Sequence, residues 1–226
     1  MQFLTALTWG LGTLCIAPAW GQPLTVVELY QSQGCSSCPP AISNINALVN
    51  DPRVLALTFA VTYWDRLGWK DTFARPEFTS RQYDYQRGLH GTNVYTPQVI
   101  VDGRSAIVGV DKSELASVVR NATPLSGPQV SVAGDLVEVA SHKMKLNADV
   151  WLVRFDPRIL QVAIGAGENA GVTIAHRNVV RSLTHLGTWS GQRRAFALPV
   201  HDENGWKSAV LIQVEHGGPV ISALVL

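Results

Sequence analysis

Cysteine, net charge and long apolar runs are all scarce in this chain of 226 residues, which has only three cysteines. Lys plus Arg number 18 and Asp plus Glu number 17, so no basic excess exists to neutralise phosphates, and a nucleic-acid partner is not expected. The balance is local as well as global: residues 20–125 carry nine basic and nine acidic side chains, and residues 126–226 carry nine and eight. No apolar run reaches the ~20 residues of a membrane span. A P-loop, a G-x-G-x-x-G fingerprint and a G-x-S-x-G elbow are absent, so nucleotide binding and serine hydrolysis lose their usual signatures. No second C-x-x-C and no closely spaced His pair completes a zinc site. What is plentiful is apolar residue, 46% of the chain, which excludes disorder.

Met1 to Pro23 contains no charged side chain, Leu4–Ile16 is mainly apolar, and Ala17-Pro18-Ala19 fits a small-x-small cleavage site. Residues 1–19 therefore read as a secretory signal peptide, although the usual N-terminal Lys or Arg is missing, and the expected location is periplasmic or secreted. Cys15 leaves with that segment. The mature chain has no expected membrane span and keeps two cysteines, Cys35 and Cys38. Two cysteines are too few for a disulfide scaffold, and a chain of this size does not need one. The pair calls for a chemical explanation.

Leu24–Tyr30 and Val54–Thr62 read as buried strands flanking a helix from Pro39 to Val49, a βαβ unit with parallel strands. After the aromatic connection Tyr63–Ala74 comes a helix over Pro76–Leu89. A hairpin follows, Thr96–Val101 and Ser105–Val110 with Asp102-Gly103 at its turn, and then a helix opened by Asp111-Lys-Ser-Glu114. This order, β-α-β-α-β-β-α, is that of thioredoxin. Beyond the linker Thr123–Pro128 the pattern changes to short β runs without helices, which suggests an all-β, sandwich-like unit. The expected class is α/β: a thioredoxin-like domain over 22–123 and a β-rich domain over 128–226.

Cys35-Ser36-Ser37-Cys38 at a helix start is the strongest chemical signal. The positive helix end favours thiolate at the first cysteine, and two intervening residues let the second close a disulfide or resolve a mixed one. A structural disulfide and a metal site remain alternatives. Pro97 opens the strand where a thioredoxin fold sets a cis peptide against the C-x-x-C, and Thr96 would offer backbone hydrogen bonds to an extended peptide. The segment holding Tyr63, Trp64, Asp65 and Trp69 leaves the second parallel strand on the edge where ligand sites gather, and is expected to form a wall of the substrate groove. Glu28, on the first strand, is a candidate proton shuttle for Cys38 or else a partner for an Arg. The polar runs Gly167-Glu-Asn-Ala-Gly171 and His176-Arg-Asn178 read as structural turns or as contacts with the redox half.

The runs Val27–Ala41, Tyr63-Trp-Asp65, Leu67-Gly-Trp69, Asp71, Arg81-Gln82, Tyr85, Tyr95–Gln98, Val101–Gly103, Gly167–Gly171 and Asn178–Arg181 carry a resemblance over nearly the whole mature chain. They resemble an uncharacterised bacterial secreted family, domain of unknown function 1223. One departure is Ala41-Ile-Ser43, where members often have an acidic residue. The resemblance implies a thioredoxin-like fold and an envelope location, and supplies no substrate. The expectation is thiol–disulfide exchange with envelope proteins or peptides, with Cys35 attacking, Cys38 resolving and Pro97 shaping the groove, without a cofactor or metal. The alternatives are a non-catalytic binding protein with a structural disulfide, or a copper or zinc chaperone.

Overall fold

A computed structural model describes residues 24–200 and 205–226. The expected signal segment, 1–19, lies outside the described residues. Strands β1 (Thr25–Gln31) and β2 (Val54–Ala60) pair in parallel, joined through helix α1 (Cys38–Leu48). Helix α2 (Pro76–Gly88), the hairpin of β3 (Gln98–Val101) and β4 (Ser105–Ile107), and helix α3 (Lys112–Arg120) follow in the expected order. Strand β3 lies antiparallel to β1. Asp102 and Gly103 turn the hairpin with positive φ angles of 49° and 63°, the conformation such tight turns demand. Asp111 caps α3 by accepting from the Ser113 and Glu114 amides at 2.7 and 3.1 Å.

Alternation along β1 separates two cores. Val27 and Leu29 face Ile42, Ile45 and Leu115 of α1 and α3, whereas Val26 and Tyr30 face Phe78 and Tyr85 of α2. Helix α2 is polar in composition, yet Phe78, Arg81, Gln82 and Tyr85, at the spacing of one helical face, are all buried. Full burial of rings such as Phe59 and Phe78 stabilises the fold by about 1.5–3 kcal/mol each.

The second half is β-rich, as expected, but its strands do not keep to themselves. They are β5 (Val130–Ala133), β6 (Leu136–Val139), β7 (Ala148–Asp156), β8 (Leu160–Ala163), β9 (Thr173–His176), β10 (Val179–Trp189), β11 (Arg194–Ala197), β12 (Lys207–Val214) and β13 (Val220–Val225). The large mixed sheet has eight strands in the order β13-β12-β7-β10-β2-β1-β3-β4. Strand β10 joins β2 in parallel at Val179↔Thr58. The boundary expected near residue 125 is therefore crossed by one sheet. Asn178 fastens the seam: its carbonyl accepts from the Thr58 amide at 3.0 Å and its Nδ2 donates to the Ala56 carbonyl at 2.8 Å.

The α2 core likewise draws on both halves, with Val153, Phe155, Ala209, Leu211 and Val220 packed beside Phe59 and Phe78. The β12–β13 turn lies backbone to backbone on α2: a Cβ at Gly217, where φ is 73°, would collide with the Asp84 carbonyl. Strands β11-β6-β5 form a small sheet, which packs through Val137, Val139 and Phe196 on Val150, Leu152, Val210 and Ile212 of the large one. Strands β8 and β9 make a separate two-stranded arm.

Candidate functional site

Strands β1 and β2 end side by side, with the Val61 amide donating to the Gln31 carbonyl at 2.9 Å. The first leads into the loop of Cys35 and the second into Tyr63–Trp69. Cys35 and Cys38 are joined as a disulfide with Cα atoms 5.4 Å apart. Cys38 begins α1, and Pro39 and Pro40 occupy its first turn. These prolines remove two of the amides a helix start normally offers. The Cys38 amide already donates to the Cys35 carbonyl at 3.1 Å. What remains near Cys35 is the helix end itself and the Ser37 hydroxyl, whose Oγ lies 3.3 Å from Cys35 Sγ.

Ser36 and Ser37 are exposed, but both cysteines are fully buried. The loop between β8 and β9 lies against this turn. Glu168 Oε2 accepts from the Ser36 amide at 3.1 Å and from its hydroxyl at 2.7 Å. Asn169 is buried, and its Nδ2 donates to the carbonyls of Gln33 at 2.8 Å and Cys35 at 2.9 Å. Ile164 and Ile174, at the base of the loop, pack in the same core as the two sulfurs. The Ser36 hydroxyl and then its amide hold the Glu168 carboxyl below the usual glutamate range. Gly167 turns the loop at φ 75° with Trp69 close against it. Gly167–Gly171 is thus both a turn and a contact with the disulfide half.

The Thr96–Pro97 peptide is cis, and Pro97 is buried. The Thr96 carbonyl lies 3.5 Å from Ser37 Oγ, and Trp64 Nε1 donates to Thr96 Oγ1 at 2.7 Å. Trp64 and Trp69 both pack against the cysteine core. Trp69 Nε1 donates to Gln33 Oε1 at 2.9 Å, so these two indoles flank the disulfide loop. Tyr63 does not join them. It packs on the α2 core and its hydroxyl donates to Gln82 at 3.2 Å, with burial pushing its phenol up to about 12. Asp65 accepts from the Asp71 amide at 3.1 Å and so ties down its own loop.

Glu28 takes the second of its two expected roles, that of a partner for an Arg. It stands on the α2 face of β1, opposite the sulfurs, in a bidentate pair with Arg81 at 2.8 and 2.9 Å. Tyr30 and Tyr85 also donate to it, at 2.8 and 2.7 Å. Burial alone would raise its carboxyl, but Arg81 and these hydrogen bonds hold it below the usual value. A carboxylate locked in this way on the wrong face carries no proton to Cys38.

The buried acid on the cysteine side is Asp71, to which sequence reasoning gave no role. Its Oδ2 accepts from the Gln33 amide at 2.7 Å and its Oδ1 from the Phe73 amide at 2.8 Å. Burial, which outweighs these amides, raises its carboxyl to about 6. Asp71 thus clamps the turn two residues before Cys35. An acid two residues after Trp69 in the aromatic connection was the available signal. Among the described residues no group of three His, Cys, Asp or Glu is arranged to hold a metal ion, and no helix is long and apolar enough to cross a membrane.

The model of the family described as "Protein of unknown function (DUF1223)" matches residues 26–214. A crystal structure of a protein from Agrobacterium tumefaciens is 32% identical, covers 89% of this chain and 93% of its own, and superposes with a TM-score of 0.72. HBP35 of Porphyromonas gingivalis is 12% identical, covers 91% of this chain and 75% of its own, and has a TM-score of 0.54, a likeness of fold alone. No curated protein matches this chain.

Proposed function

The chain belongs to the DUF1223 family, and from that premise we propose that it is an exported thioredoxin-like protein that exchanges disulfides with thiols of envelope proteins or peptides. The observation that carries this reading is the Cys35–Cys38 disulfide at the start of α1, set beside Thr96 and flanked by Trp64 and Trp69. The sheet order β2-β1-β3-β4, with α1 and α3 on one face and α2 on the other, supports the thioredoxin-like assignment of the first half. The β-rich second half extends that sheet and covers the disulfide. The charge-free apolar segment 1–23 supports export.

In the reaction, a client thiolate attacks Cys35 Sγ, the Cys35–Cys38 bond breaks and Cys38 leaves as a thiolate. A second client thiolate then attacks the client sulfur of the mixed disulfide, and Cys35 leaves. The client is oxidised by two electrons and gives up two protons, and this chain becomes the dithiol; with a client disulfide the same steps run in reverse. Cys35 lies directly beneath the exposed Ser37 hydroxyl, which makes it the accessible sulfur once the Gly167–Gly171 loop lifts. The test is to mix reduced Cys38→Ser protein with a peptide disulfide and map the adduct. A mixed disulfide at Cys35 is expected, together with a reduction potential above about −300 mV for the native pair.

Full burial of both sulfurs favours a second reading, an envelope binding protein in which the disulfide is structural. A potential well below about −300 mV with no trapped adduct selects that reading.

A further inference from the structure

The disulfide site leaves Arg181 unexplained. Strand β10 pairs with β7 at Val180↔Phe155 and again at Ser182↔Arg154, so Arg181 is the extra residue of a β-bulge. Bulges of this kind re-aim a side chain. Here the guanidinium lies over two rings, 4.9 Å from the centre of Phe73 and 5.5 Å from that of Trp206. It lines a cavity of about 300 Å³ with Thr72, Phe73, Ala74, Arg75 and Trp206.

Among the described residues, Arg75, Arg158 and Arg181 meet one nearby carboxylate, Asp156, and that one is bound by Arg158 at 2.6 Å. Neither Arg75 nor Arg181 makes an ion pair or side-chain hydrogen bond among the described residues. Burial first, with Arg75 and Arg158 adding to it, lowers the Arg181 pKa from its ordinary value. Two guanidiniums at one polar cavity, one of them lying over the rings of Phe73 and Trp206, present planar donor forks that match an oxyanion.

We propose that Arg75 and Arg181 form a binding site for the carboxylate or phosphate group of a small ligand. The site adjoins the disulfide loop without being part of it: Thr72, on the cavity wall, is bonded through its hydroxyl to Gln33 Nε2 at 3.1 Å. It therefore stands whether or not the disulfide is exchanged.

Titration calorimetry and thermal unfolding of the whole protein with inorganic phosphate and, separately, with acetate test the site. Saturable binding of at least one is expected, raising Tm by roughly 2–4 °C at several times Kd. The anion that binds names the group: phosphate alone a phosphate ligand, acetate alone a carboxylate, both an oxyanion site open to either. Arg75→Gln, at an exposed position that leaves the fold intact, and Arg181→Gln should each weaken binding about tenfold or more. Arg53→Gln, remote and already paired with Asp51, should leave it unchanged. Binding of neither anion, binding that survives Arg75→Gln, or an equal loss in Arg53→Gln overturns the proposal.

Discussion

Glu168 and Ser36 are joined across 132 residues of chain, one carboxylate oxygen taking both the serine amide and its hydroxyl. With Asn169 gripping the Cys35 carbonyl, this contact ties the loop between β8 and β9 to the backbone around the buried disulfide. Glu168→Gln and Asn169→Ala should each speed reduction of the disulfide by dithiothreitol, by severalfold up to about tenfold. The assay is thiol release followed in time. Unchanged rates would mean that the loop is not the barrier.

Ser37 offers the nearest hydroxyl to Cys35 Sγ, while Pro39 and Pro40 withhold two amides. Ser37→Ala should therefore raise the pKa of the Cys35 thiol in the reduced protein and slow its alkylation at pH 6. Mass mapping after iodoacetamide treatment measures this. Preferential labelling of Cys38 would reverse the two roles.

The Glu28–Arg81 pair belongs to the core and not to the sulfur chemistry. Arg81→Met strands a buried carboxylate and should cost roughly 3–5 kcal/mol in urea unfolding. Glu28→Gln combined with Arg81→Met should recover part of that loss. Folded protein from either variant should keep the parent reduction potential, because the pair is on the opposite face of β1. A shifted potential would restore Glu28 as part of the site.

Two buried groups tilt the pH dependence of stability in opposite directions. Asp71, raised to about 6 from 3.8, keeps its proton in the folded chain after the unfolded chain has lost it. Its contribution is greatest below about pH 4 and is lost as the pH rises towards 6. His176 is fully buried beside Phe73, neither ring nitrogen has a hydrogen-bond partner among the described residues, and burial lowers its pKa to about 4 from 6.5. The unfolded chain takes up that proton first, so stability falls as the pH drops from 6.5 towards 4, by up to about 3 kcal/mol. Asp71→Asn should remove the first slope and His176→Phe the second, read from urea midpoints between pH 4 and 7. Parallel curves for the parent and both variants would contradict both assignments.

Features set by neighbours in sequence were legible in it. The spacing of Cys35 and Cys38, Pro97 before β3, the Asp102-Gly103 turn and the Asp111 cap all depend on a few adjacent residues. Partners distant in sequence were not. Nothing near Val179 announces that β10 will pair with β2, because a short apolar strand reads the same whichever neighbour it joins. The Glu28 side chain could be assigned to a face of β1 by alternation, but the face taken by the cysteine loop depends on where α1 packs. Glu168 and Asn169 stood out as polar residues in an apolar stretch, and only the fold says what they hold.

The separations involved also set an order of events. The two cysteines are three residues apart, so their disulfide needs almost no chain closure and forms as easily in a nascent chain as in a finished one. The loop that hides it must return from a point more than 130 residues away, and the core under α2 is incomplete until Leu211 and Val220 arrive. Contacts of such long range form late and slowly. The sulfur pair can thus close before the Gly167–Gly171 loop docks beside it, and any exchange in the mature protein has to wait on that loop.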